Sequence, residues 1–96
     1  MLYLTVDGMM SGTGIRDSVE GGYLRPSDLG VSPSLAEQIS KWLRQYQEAH
    51  RNQYRDQEQV AALDEEGVRI SQALGRELPE AKVQYYSSAL MQRRLV

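Results

Sequence analysis

Cysteine is absent from this 96-residue chain, and so is phenylalanine. The first absence excludes disulfides, thiolate metal sites and cysteine nucleophiles, and it fits a reducing compartment. The second leaves Trp42 and six tyrosines to supply all the aromatic bulk. There is no basic excess: 11 Lys and Arg stand against 13 Asp and Glu, a formal net charge of −2. Duplex nucleic acid calls for a basic excess or a basic stripe, and the longest basic cluster is Arg93-Arg94 at the tail; no nucleic-acid partner is expected. No apolar run approaches membrane-spanning length, so no membrane partner is expected either. The N-terminal residues lack the basic start and long apolar centre of a signal peptide, and a cytoplasmic protein is the expectation.

What remains is ordinary. With 41% hydrophobic and 25% charged residues, the chain reads as one small globular domain over residues 1–96. A chain of this size buries roughly 60–65% of its unfolded surface, so its core is thin.

Periodicity gives the elements. Leu2, Leu4 and Val6 alternate on one face of a β-prone run, which predicts a strand. Residues 7 to 32 hold all but two of the eight glycines. Gly21-Gly22 there either close a tight hairpin between 15–19 and 23–25 or sit in an irregular loop, and Pro26 ends any pairing. Ser32 is a good N-cap with Pro33 in the first helical position, where a missing N–H costs nothing. Leu35, Ile39, Trp42, Leu43, Tyr46 and Ala49 then form one apolar stripe. The polar stretch RNQYRD breaks it at 51–56. A second helix is predicted from about Gln57 to Leu78, with Val60, Leu63, Gly67, Ile70, Leu74 and Leu78 on its buried side and Pro79 ending it. Gly67 costs about 1 kcal/mol against alanine within a helix, which implies close approach of another backbone. Lys82 to Tyr86 alternates again as a strand; the last ten residues fit a strand or a short helix equally. The predicted fold is α+β: two antiparallel amphipathic helices packed on a small sheet that includes the N- and C-terminal strands.

The glycine loop after the first strand fails as a phosphate site. A dinucleotide fingerprint needs a glycine three residues after Gly14, where Asp17 stands. A Walker loop needs glycine at Thr13 followed by lysine at Gly14. No helix begins directly behind the loop to receive a phosphate, so a turn region is expected and no cofactor. His50 is the only histidine and closes the first helix, where an imidazolium suits the helix dipole. A serine triad or a zinc site built on this one histidine has no spaced partners, and no catalytic or metal residues are assigned.

The stretch "GGYLRPSDLGVSPSLAEQISKWLRQYQEAH" carries a family likeness. A tyrosine follows paired glycines, then come Asp-Leu-Gly, Ser-Pro and a helix bearing Ile39, Trp42 and Tyr46. Together with "SGTGIRD" and "KVQYYSS", it resembles the small immunity proteins of bacterial contact-dependent growth inhibition and related polymorphic toxin systems. The resemblance implies a non-enzymatic role. Such a protein binds its cognate toxin domain in the cytoplasm of the producing cell and covers the toxin's active site or substrate surface. Toxins of this kind are often nucleases with positive surfaces, so an acidic face is the expected contact. The densest acids are Asp64, Glu65 and Glu66, with Asp56 and Glu58 before them. The glycine loop adds Asp17, Glu20 and the flexible side chains of Met9 and Met10. Two other readings stand beside this one: a small enzyme or accessory subunit using carboxylates such as Asp7, Asp17 and Glu20, and a homo-oligomerising domain.

Overall fold

A computed structural model describes residues 2–95. Four strands and two long helices follow one another in the chain. They are β1 (Leu2–Val6), β2 (Ile15–Asp17), a 3₁₀ turn (Pro26–Leu29), α1 (Pro33–Arg51), α2 (Gln57–Glu77), β3 (Ala81–Ser87) and β4 (Gln92–Leu95). The predicted α+β architecture is the one observed.

Both helices start where a side chain satisfies a free backbone N–H. Ser32 Oγ accepts from Leu35 N at 3.3 Å, with Pro33 first in the helix. Asp56 Oδ1 accepts from Gln59 N at 3.1 Å. The helices run antiparallel. Ser32 at the head of α1 donates its N–H and its hydroxyl to the carboxylate of Glu77 at the foot of α2, each at 2.7 Å. Halfway along, Trp42 Nε1 donates to the Leu63 carbonyl at 2.8 Å.

The sheet order is β2-β1-β3-β4. The terminal segments meet at its centre, where β1 and β3 run parallel from Leu2↔Ala81 to Val6↔Tyr85. The outer pairs are antiparallel. The ambiguous C-terminal residues therefore form a strand that hairpins back on β3. The glycine-pair hairpin exists only in part: β2 ends at Asp17, residues 18–20 turn, and Tyr23 bridges Arg16 alone. Gly21 and Gly22 supply positive φ angles of 76° and 80° to that turn.

Leu4, Val6 and Ile15 point to the helical side and meet Leu35, Ile39, Trp42, Leu63, Ile70 and Leu74, all 5% exposed or less. Tyr85 packs there edge-on to Trp42, ring centroids 6.1 Å apart. Gly67 is explained differently from the expectation: the group that a Cβ would strike is the ring of Tyr85, not another backbone. Among the described residues, the ion pairs formed are Arg16–Asp7 and Arg51–Glu48.

Candidate partner interface

Asp64 falls on the inner side of α2, 1% exposed, and not on the outer acidic face expected of it. Counting apolar residues alone hides this. The set Val60, Asp64, Gly67, Ser71 and Leu74 is itself a helical stripe of three- and four-residue steps, and all five are buried. The carboxylate has no cation within ion-pair distance among the described residues and is held by hydroxyls instead. Tyr46 and Tyr85 donate to Oδ1 at 3.0 and 2.6 Å, and Ser87 donates to Oδ2 at 2.7 Å. The same hydroxyls fix the β3–β4 turn: Ala89 N donates to Tyr46 and Leu90 N to Ser87. Burial, and then the bond to Asp64, push the Tyr85 hydroxyl well above its ordinary pKa. Burial likewise raises Tyr46. A buried carboxylate with three donors is a structural centre joining α1, α2 and the hairpin.

Among the described residues, the opposite face of the sheet carries no helix. Along β1, Tyr3 and Thr5 alternate with the core residues, and Asp7 follows directly at its end; Lys82, Gln84 and Tyr86 alternate along β3. Register places Arg16 beside Thr5 and Arg93 beside Tyr86 on this face. Two polar networks stiffen it. Gln84 Nε2 donates to Thr5 Oγ1 at 3.0 Å, which lies 2.7 Å from Ser18 Oγ. Asp7, 1% exposed, accepts from Tyr23 at 2.8 Å, from Met9 N at 3.2 Å and from Arg16 Nε at 3.4 Å. Burial foremost, then the bond to Asp7, raises the Tyr23 hydroxyl. Sequence reading missed this face because Thr5 and Asp7 look like exposed strand and loop residues. Their partners come from Ser18, Tyr23 and Gln84, which only the strand pairing brings near.

The remaining expected contacts do not form one patch. Glu58 and Glu65, seven residues apart, share the outer side of α2; Glu66 turns toward Gln45 of α1. Asp56 is exposed but serves as the α2 cap. Asp17 sits at one end of the β1–β2 pair and accepts from the N–H groups of Glu20 and Val19, which hold its carboxyl below its ordinary value. Glu20 is exposed in that same turn. Met9 and Met10, 47% and 42% exposed, lie at the other end, where Gln47 Nε2 donates to the Met10 carbonyl. Asp7, Asp17 and Glu20 are thus spread along the hairpin and do not converge as an acid–base set. His50 sits at the end of α1, its Nδ1 3.1 Å from the Tyr54 hydroxyl. Among the described residues, no helix is long and apolar enough to cross a membrane, and no three of His, Asp and Glu gather as a metal site.

These features define a small α+β domain whose buried polar groups hold the fold together and whose sheet is open on one side. The family described as Serratia CdiI immunity protein-like matches residues 2–88, and the chain belongs to that family. Among curated proteins and among solved structures, none matches the chain.

Proposed function

We propose that this protein binds the toxin domain of a contact-dependent growth inhibition system in the cytoplasm of the producing cell and neutralises it by covering its active site or substrate surface. The family match over residues 2–88 carries this reading. The geometry supports it: the buried carboxylates Asp7 and Asp64 are bonded into the scaffold, and what is left for function is surface. A specific complex of this kind buries roughly 1,200–2,000 Å² in total. Of the contacts read from the sequence, Glu58, Glu65 and Glu66 on α2 and Glu20 with Met9 and Met10 on the loops are at least partly accessible, and Asp64 is not. Co-expression with its cognate toxin domain should restore growth, and the purified pair should elute as one complex. A toxin that stays lethal and does not co-elute would refute the proposal.

A further inference from the structure

The charged residues of this chain are not evenly mixed. The open sheet face presents Arg16, Lys82 and Arg93, and the carboxylate it contains, Asp7, is buried and bonded to Arg16. The chain as a whole carries −2, so the remainder of the molecule is more acidic than that total. Two tyrosines, Tyr3 (44% exposed) and Tyr86, stand among these cations. From this we infer that the open face of the sheet is the surface that docks the toxin domain, and that the toxin meets it with carboxylates. The inference rests on the toxin-binding reading above and names the face that reading leaves open.

Four observations support the sheet over the helices. Tyrosine is enriched where binding energy concentrates, and Tyr3 and Tyr86 stand on the sheet face, whereas the outward sides of α1 and α2 carry Glu, Gln, Lys, Arg and Ala and, among the described residues, no exposed tyrosine. The middle of the face is ordered before any partner arrives, because the Thr5–Ser18–Gln84 and Asp7–Arg16–Tyr23 networks fix Thr5, Gln84 and Arg16. A preordered surface loses less conformational entropy on binding. Arg16 bonds Asp7 through Nε, and its two terminal nitrogens make no hydrogen bond among the described residues. With its side chain 38% exposed, it is a guanidinium already oriented for a bidentate bond to a carboxylate. Finally, among the described residues no helix covers the face, since α2 packs on β3 and β1 from the other side; Ser18 and Tyr23 of the loop after β2 cover Thr5 and Asp7 and leave Tyr3, Lys82 and Arg93 exposed. A protein partner fits better than a nucleic acid. Phosphate binding needs more cations than three, and the acidic remainder repels a polyanion at long range.

The test compares three variants with the unaltered protein for binding to the purified toxin domain at two salt concentrations. The double variant Lys82→Glu/Arg93→Glu should weaken binding by about a hundredfold or more and slow association, with the loss in rate shrinking at high salt. Tyr3→Ala should weaken it at least about tenfold. Glu58→Lys/Glu65→Lys should stay within about twofold, because those residues lie on the opposite side of the molecule. All four residues altered in charge are exposed, so thermal melts should coincide and folding should not confound the result. Binding lost with the helix variant and kept with the sheet variant overturns the inference while leaving immunity standing. Toxin-independent retention of single-stranded RNA that disappears in the sheet variant overturns the protein partner. Failure of the unaltered protein to bind the toxin overturns both this inference and the function on which it rests.

Discussion

A Cβ added at Gly67 would collide with the ring of Tyr85, whose hydroxyl is held by Asp64 and whose ring edge meets Trp42. The ring has nowhere to go. Gly67→Ala should therefore destabilise the protein by about 1–3 kcal/mol, although alanine is the better helix former. Gly75, two turns on in the same helix, faces open contact: its nearest neighbour would be a Val83 methyl at 4.0 Å. Gly75→Ala should stabilise by about 0.5–1 kcal/mol through helix propensity. Urea unfolding of the pair checks both signs, and equal shifts would show that the Tyr85 ring yields. Trp42 is fully buried with its N–H bonded, so Trp42→Ala should cost about 3–5 kcal/mol. A loss of that size approaches the whole stability of a small domain, and an unaltered denaturation midpoint would place the ring in solvent. At this scale the sequence was readable for Trp42, which lies in an unbroken apolar stripe. It was not readable for Asp64, whose burial depends on hydroxyls 18 to 23 residues distant in the chain.

Element boundaries divide along the same line. Those of α1 and α2 could be read from local chemistry, because the cap, the proline and the polar break all lie next to the residues they terminate. The same holds for β1 and β3, where alternation runs the length of the strand. It fails for β2 and β4. Three residues are too few to show a period, and β4 exists because its backbone finds β3 after a turn through Met91, whose φ is 54°. One long-range feature couples the helices end to end. Ser32 caps α1 and at the same time holds Glu77 of α2 through its N–H and its hydroxyl, which keep that carboxyl below its ordinary value. Glu77 gains these donors in the folded state, so the contact is complete above the unfolded carboxylate pKa and is lost as pH falls through the lowered folded value. Ser32→Ala should remove the cap and the hydroxyl's half of the tie, leave the backbone N–H bond to Glu77 in place, and cost about 1 kcal/mol, a drop of about 4–8 °C in melting temperature for a chain of this length. A melt that does not move would show that the Ser32 hydroxyl contributes nothing to the junction of the two helices.

The two faces of the molecule were not visible in the sequence, because charge spread along a chain is sorted only by strand register and helix phase. What the sequence did announce is the absence of phenylalanine, and the folded core shows the consequence. Its large rings besides Trp42 are Tyr46 and Tyr85, both wholly buried, with hydroxyls that converge on one carboxylate. Burial is the first cause that raises the ionisation of both, so each resists losing its proton while folded. The unfolded chain has no such constraint and ionises near the ordinary value of 10.0. Stability from these groups is therefore fully present below about pH 10 and declines above it, by about 1.4 kcal/mol per pH unit for each tyrosine kept neutral. The protein should hold steady to about pH 9.5 and then unfold cooperatively, with tyrosinate absorbance from the buried rings appearing together with loss of helical dichroism. Tyr85→Phe separates this effect from general charge repulsion. It removes one donor from Asp64 and should cost about 1.5–3 kcal/mol at neutral pH. It also removes one raised group, so its stability should fall less steeply above pH 10 than that of the unaltered protein. Parallel alkaline slopes for the two proteins would show that Tyr85 ionises in place, and that its bond to Asp64 does not protect the core.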